Sequence, residues 1–169
     1  KLISKTIAAV AIVSVALFGS ANAKTLKIET HFTASSPNGE VAAQFAKNVE
    51  KFSGGSLKVE MFYSSSVTGK SAEVFNSAQT GIIDCDMTGA GYQTGKNAAF
   101  QFAGDVMGGY DNPYQQYEFL NFPGAQEAVD ALYNKYGMTL IGWWIPGHES
   151  LISSRPIPDV ASLKDFKFR

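Results

Sequence analysis

Cysteine is nearly absent: Cys85 is the only one in 169 residues. No intramolecular disulfide can form, and metal frameworks built on several cysteines are excluded by count. Histidine is almost as scarce, and His31 and His148 stand in no metal-ligand spacing. Clustered positive charge is missing too: 14 Lys and Arg are scattered among 15 Asp and Glu, for a formal charge of −1. Nucleic-acid binders rely on concentrated phosphate-neutralising charge, so that class is set aside. There is no GxSxG elbow of a serine hydrolase, and no apolar run reaches the about 20 residues of a comfortable membrane span.

What is present is ordinary globular composition, 45% hydrophobic and 17% charged, enough for one real core. Residues 1–23 read as a signal peptide and stand apart from the fold. Lys1 and Lys5 form a basic start, Ile7 to Phe18 an apolar stretch, and Ala21-Asn22-Ala23 a cleavage site, which implies export to the periplasm. A single thiol suits such an oxidising compartment.

From Thr25 to Phe32 the pattern alternates, with Leu26, Ile28 and Thr30 on one side and Lys27, Glu29 and His31 on the other. Period two predicts a strand. Turn residues Thr33 to Gly39 follow, with Ser35 or Ser36 placed to cap a helix whose face is Val41, Phe45, Val49 and Phe52. Ser53-Gly54-Gly55 ends that helix and Leu57, Val59 and Met61 mark a second strand, giving a parallel βαβ unit. A helix over Ser71 to Thr80 and a third strand over Ile82 to Met87 repeat the unit, so the fold class is α/β. Asn112-Pro113 reads as an N-cap with proline in the first turn. That helix has a face of Tyr114, Tyr117 and Leu120, and the next one is marked by Ala125, Val129, Leu132 and Tyr136. Met138 to Ile145 is almost wholly apolar and predicts a strand covered on both faces, with Trp143 and Trp144 packed in the core.

In an open α/β sheet, ligands bind beyond the carboxyl ends of the strands. Those ends, at 33–36, 64–66, 88–92 and 146–149, are rich in hydroxyl groups and glycine and poor in acids, which suits a polar or anionic ligand. Gly89, Gly91 and Gly95 space as GxGxxxG, one residue longer than a dinucleotide fingerprint, and Lys96-Asn97 does not open a helix. No catalytic constellation stands out. Cys85 reads as a buried structural thiol, and Asp84 and Asp86 beside it as solvated. Arg169 has the planar fork that grips a carboxylate at two points, although composition alone leaves it a surface residue.

Four stretches resemble the extracytoplasmic solute receptors of TRAP (tripartite ATP-independent periplasmic) transporters. They are FAKNVEKFSGGSLKVEMF from Phe45, GIIDCDMTG from Gly81, LISSRPI from Leu151 and VASLKDFKFR from Val160. The resemblance implies a periplasmic-binding-protein-like two-lobed clamshell, of which this chain covers mainly lobe one. Residues 24–155 would be the N-terminal α/β lobe and 156–169 the start of the crossing to the second. It implies capture of a small organic acid for delivery to the transporter's membrane subunits, with no bond made or broken. A receptor for an ATP-driven importer or a sensor shares the architecture, and a secreted α/β enzyme is a remoter alternative. By matching position, Arg169 would pair the ligand carboxylate. Thr88, Gly91 and Tyr92 would line the pocket, with Ser36 and His148 adding hydrogen bonds and Phe32 an apolar wall. In the keto-acid branch a glutamine that helps hold substrate and a metal ion stands where this sequence has His148. No cofactor is expected beyond a metal ion bound together with substrate, and no nucleic-acid partner.

Overall fold

The computed structural model describes residues 23–104, 106, 108–145, 147 and 152–167. The expected signal peptide therefore lies outside the described residues, apart from Ala23. Three parallel strands form a sheet of order β2-β1-β3. The central strand β1 (Lys24–Thr30) pairs on one side with β2 (Leu57–Phe62), Ile28 opposite Met61. On its other side lies β3 (Cys85–Met87), Glu29 opposite Asp86.

Helix α1 (Pro37–Phe52) carries the chain from β1 to β2. Its start is fixed by Ser36, whose Oγ accepts from the Gly39 amide at 3.1 Å, and Pro37 supplies a pre-set first turn. Its end is fixed by Gly54 and Gly55, at φ 61° and 82°, a left-handed pair that side chains would resist. Glu50 reaches from α1 to accept from the Val59 amide at 3.0 Å, covering part of the free edge of β2. Of the expected face, Phe45 and Val49 are half-buried while Val41 and Phe52 are exposed, and Ala42 makes the fully buried contact. A 3-10 turn (Ser71–Glu73) and helix α2 (Val74–Gln79) then lead into β3, which is shorter than the predicted strand.

The main apolar cluster joins Phe75 of α2, Ala90, Phe100 and Ala103 from two 3-10 turns (Ala90–Gln93 and Ala98–Ala103), and Val129 and Leu132 of α4 (Pro123–Asn134). Phe100 is wholly buried and stands edge-on to Phe75 at 5.8 Å and to Tyr133 at 5.2 Å. Edge-to-face pairs add about 0.5–1.5 kcal/mol each beyond burial, so these rings hold α2, the turns and α4 together. Helix α3 (Pro113–Asn121) begins as expected at Asn112, whose Oδ1 accepts from the amides of Tyr114 and Gln115. Of its predicted face only Leu120 is buried; Tyr114 and Tyr117 are exposed.

Two expectations are corrected. Residues 138–145 are not a strand. Met138, Leu140 and Trp143 pack against the core, but Ile141 is 74% exposed and the segment pairs with no strand among the described residues. Its apolar composition reports side-chain packing on one side without a backbone ladder. Alternation puts Glu29 on a polar face, yet Ile28, Glu29 and Thr30 are all buried. At its carboxyl end β1 is covered on both faces, so alternation there no longer sorts inside from outside. Residues 152–158 and 164–167 also show no strand, while Val160–Leu163 forms one 3-10 turn capped by Asp159, whose Oδ1 accepts from the Ser162 amide.

Candidate functional site

The strand order decides where a ligand can sit. From β1 the chain crosses one way to β2, and from β2 it passes back beyond β1 to β3. By the rule for open α/β sheets, the crevice expected to take a ligand lies at the carboxyl ends of the strands where the order reverses, here β1 and β3. The rim has three parts: the loop after β1 (His31 to Ser36), the loop after β2 (Tyr63 to Gly69) and the loop after β3 (Thr88 to Gln93).

The first and third parts meet through aromatic rings. His31 and Tyr92 stand edge to face with centroids 5.5 Å apart, bridging the crevice from β1 to β3. His31 lies against Phe32 at 3.9 Å, and Phe32 stacks on Trp144 at 5.1 Å and 22°. Trp143 and Trp144 thus part company: Trp143 packs on the core and Trp144 belongs to the rim. Tyr92 is 46% exposed and Gly91 has open space around its Cα, so both remain available to a ligand. Burial lowers the His31 pKa, which favours the neutral ring, and its buried Nδ1 has no partner. A neutral imidazole with one unused nitrogen is a ready hydrogen-bonding group. Sequence reading misses His31 as a candidate because it sits one residue past the strand with no chemical partner nearby in the chain.

The hydroxyls are more committed. Ser36 donates to the Thr33 carbonyl at 2.8 Å while accepting from Gly39, so what it can offer a ligand is an acceptor lone pair. Thr88 donates to Asp86 Oδ1 at 2.6 Å and is similarly left as an acceptor. The second loop is strained: Ser64 and Ser65 adopt φ of 57° and 51°, left-handed values that non-glycine residues avoid. It is tied to β1 by the Ser64 amide to the Phe32 carbonyl at 2.9 Å and the Ser65 amide to the Thr30 carbonyl at 3.1 Å.

Beneath the rim lie two acids. Glu29 Oε1 accepts from the amides of Val67 at 2.6 Å and Thr68 at 3.3 Å. Asp86 is not the solvated side chain its sequence position suggests. Burial, partly offset by the Thr88 hydrogen bonds and reinforced by Glu29, pushes its pKa from 3.8 up to about 6. Asp84 is exposed and accepts from the Lys27 amide at 2.8 Å. Cys85 is half-buried, and burial together with Asp84 raises its thiol pKa, which argues against a reactive thiolate. No group of three or more His, Cys, Asp or Glu among the described residues is arranged to hold a metal ion. Arg169 and His148 lie outside the described residues.

With this arrangement in view, comparison with known proteins is informative. The family model for bacterial extracellular solute-binding protein, family 7, matches residues 28–169. The chain belongs to that family. Among solved structures, it is similar to a TRAP periplasmic solute-binding protein from Rhodobacter sphaeroides in an apo open form, at 26% identity and TM-score 0.65 over 70% of this chain and 37% of that one. A TRAP periplasmic solute-binding protein from Colwellia psychrerythraea with bound calcium and pyruvate matches at 24% identity and TM-score 0.60, over 68% of this chain and 35% of that one. One from Bordetella bronchiseptica, with copurified calcium and picolinate, matches at 21% and 0.61, over 68% and 34%. The likeness places the α/β fold within the two-lobed receptors, and the chain spans about a third of the length of these relatives.

Proposed function

We propose that this family 7 protein is a periplasmic receptor that captures a small organic acid and delivers it to the membrane subunits of a TRAP transporter. The observation that carries the reading is the match to family 7 over nearly all of the described fold, joined to similarity with TRAP receptors, some of which hold pyruvate or picolinate. The rim supports it: acceptors, an unused imidazole nitrogen and aromatic walls surround a crevice in which no described acid is exposed at the loops after β1 and β3. In this reading Arg169 pairs the ligand carboxylate. Tyr92 and His31 donate hydrogen bonds, Gly91 keeps the loop backbone accessible, and Phe32 and Trp144 form an apolar wall. His148 contributes polar contact and Ser36 and Thr88 fix the loops. Binding alone is asked of the site, with no chemical step. Some of the relatives hold calcium or sodium with their carboxylate. Among the described residues no group of three or more His, Cys, Asp or Glu is arranged to hold such a cation.

The test uses the full chain, stripped of ligand by unfolding and refolding. Its melting temperature is read against small carboxylates, sugars and amino acids, with and without calcium. A ligand that binds only the folded state at about a hundred times its Kd adds about 2.7 kcal/mol. A shift confined to organic acids and lost in Arg169→Ala is expected. Shifts with sugars or amino acids that survive Arg169→Ala would remove the carboxylate reading.

A further inference from the structure

The loop after β2 holds a shape that its sequence does not favour. Ser64 and Ser65 stand in succession at φ 57° and 51°, values that glycine takes freely and serine does not. Every backbone amide from Ser64 to Gly69 is nonetheless paired. Ser64 donates to the Phe32 carbonyl at 2.9 Å and Ser65 to the Thr30 carbonyl at 3.1 Å, both on or just after β1, while Ser66 and Gly69 bond within the loop. The amides of Val67 and Thr68 go to Oε1 of Glu29, a residue with no exposed surface. Its Oε2 is buried without a partner, so the hydrogen bonds of this carboxyl group all serve the loop.

With its amides turned to protein acceptors, the loop has only side chains to offer a ligand. Ser65 faces inward, 5% exposed, with its hydroxyl 3.3 Å from that of Ser71. Ser64 is exposed, and its hydroxyl has no partner among the described residues. The bond from its amide to the Phe32 carbonyl sets it beside the aromatic wall of the rim, whereas the exposed Ser66 is bonded only within its own loop. Ser36 and Thr88 have already committed their hydroxyl protons to the Thr33 carbonyl and to Asp86. An acceptor is of no use to a carboxylate, which needs donors. Ser64 still has its proton to give.

We propose that Ser64 is a ligand-binding residue whose hydroxyl donates to an oxygen of the captured carboxylate. Glu29 is its positioning residue, keeping the loop in place through the Val67 and Thr68 amides. The left-handed backbone at Ser64 is then strain kept for function: glycine would fit that φ better but could not donate. This rests on the carboxylate-receptor reading and adds to it a contact from the loop after β2, the strand across β1 from β3.

The test measures binding of the small carboxylates, pyruvate and picolinate among them, to the full chain as wild type, Ser64→Gly, Glu29→Leu and Glu29→Gln. The melting temperature of each is also read without ligand. Ser64→Gly is expected to melt at or above the wild-type temperature, because glycine accepts this φ. It is expected to bind the acid about tenfold more weakly, the scale of a lost hydrogen bond to a charged group. A merely structural serine would move stability and affinity in the same direction. Glu29→Leu is expected to weaken binding as much and to lose amide exchange protection at Val67 and Thr68. Glu29→Gln keeps an Oε1 acceptor and is expected to restore most of both. Ser64→Gly binding as tightly as the wild type would overturn the role of the hydroxyl, and Glu29→Leu doing so would overturn that of Glu29. Should Glu29→Leu fail to fold, Glu29→Asp, whose carboxyl is one methylene shorter, replaces it with the same expectation. A wild type that binds none of the acids removes the receptor reading itself, and this proposal with it.

Discussion

Replacing Asp86 with asparagine exchanges one side-chain oxygen for nitrogen and removes one titration, and its effect on stability has a calculable sign. The folded carboxyl sits near 6 against 3.8 for a free aspartate, chiefly because burial disfavours its charge. An acid whose folded pKa is raised binds its proton more tightly in the native state. Its penalty is therefore absent below about pH 4, grows as pH rises between the two values and is complete above about pH 6. The full difference corresponds to about 3 kcal/mol at 1.36 kcal/mol per pH unit, a ceiling because Asp86 is not wholly shielded. The amide introduced by Asp86→Asn would keep an oxygen for the Thr88 hydroxyl and carry no charge at any pH. The variant should match the wild type near pH 4 and exceed it near pH 8 by up to about 3 kcal/mol, or roughly 6–12 °C in melting temperature for a chain of this size. Urea titrations of both full-length proteins at the two pH values read this directly. A difference that is constant with pH, or a variant less stable at pH 8, would refute the reasoning, since only the lost ionisation is pH-dependent.

Phe100→Ala should cost about 3–5 kcal/mol, the range for deleting a buried aromatic ring, because Phe100 is fully enclosed and edge-packed on Phe75 and Tyr133; a lower urea midpoint with unchanged slope is the expected reading. Gly39→Ala would place a methyl group on the Thr33 carbonyl, a backbone atom that cannot turn aside. It should displace the first rim loop and destabilise by about 2 kcal/mol or more, as overpacking does, visible in thermal melts and in the amide shifts of Thr33 to Ser36.

The local signals in the sequence are the ones that hold. Ser36 before Pro37, Asn112 before Pro113 and the Gly54-Gly55 pair all act within a few residues, and each starts or stops a helix where the sequence places it. The α/β class follows from two strand–helix–strand units, and it is what the parallel sheet displays. Non-local facts are not legible. The run from Met138 to Ile145 looks like a buried strand because hydrophobicity reports covered side chains. Whether a backbone finds a ladder partner depends on an edge elsewhere in the fold. The same logic assigns Trp144 to the core, while its actual partner, Phe32, lies more than a hundred residues earlier.

Glu29 is the residue whose misreading teaches most about the site. Alternation treats a strand as having one wet face, a rule suited to antiparallel sheets and to edges. β1 is central in the sheet, and at its carboxyl end Glu29 is buried beneath the loop after β2, at the end of the sheet where a ligand is expected. Burial of that acid is tolerated because two loop amides satisfy one of its oxygens. The other oxygen is buried without a hydrogen-bond partner. Loops that hold a ligand are normally the least anchored parts of a fold. Here two of them are fastened from below, the loop after β2 by Glu29 through the Val67 and Thr68 amides and the loop after β3 by Asp86 through the Thr88 hydroxyl.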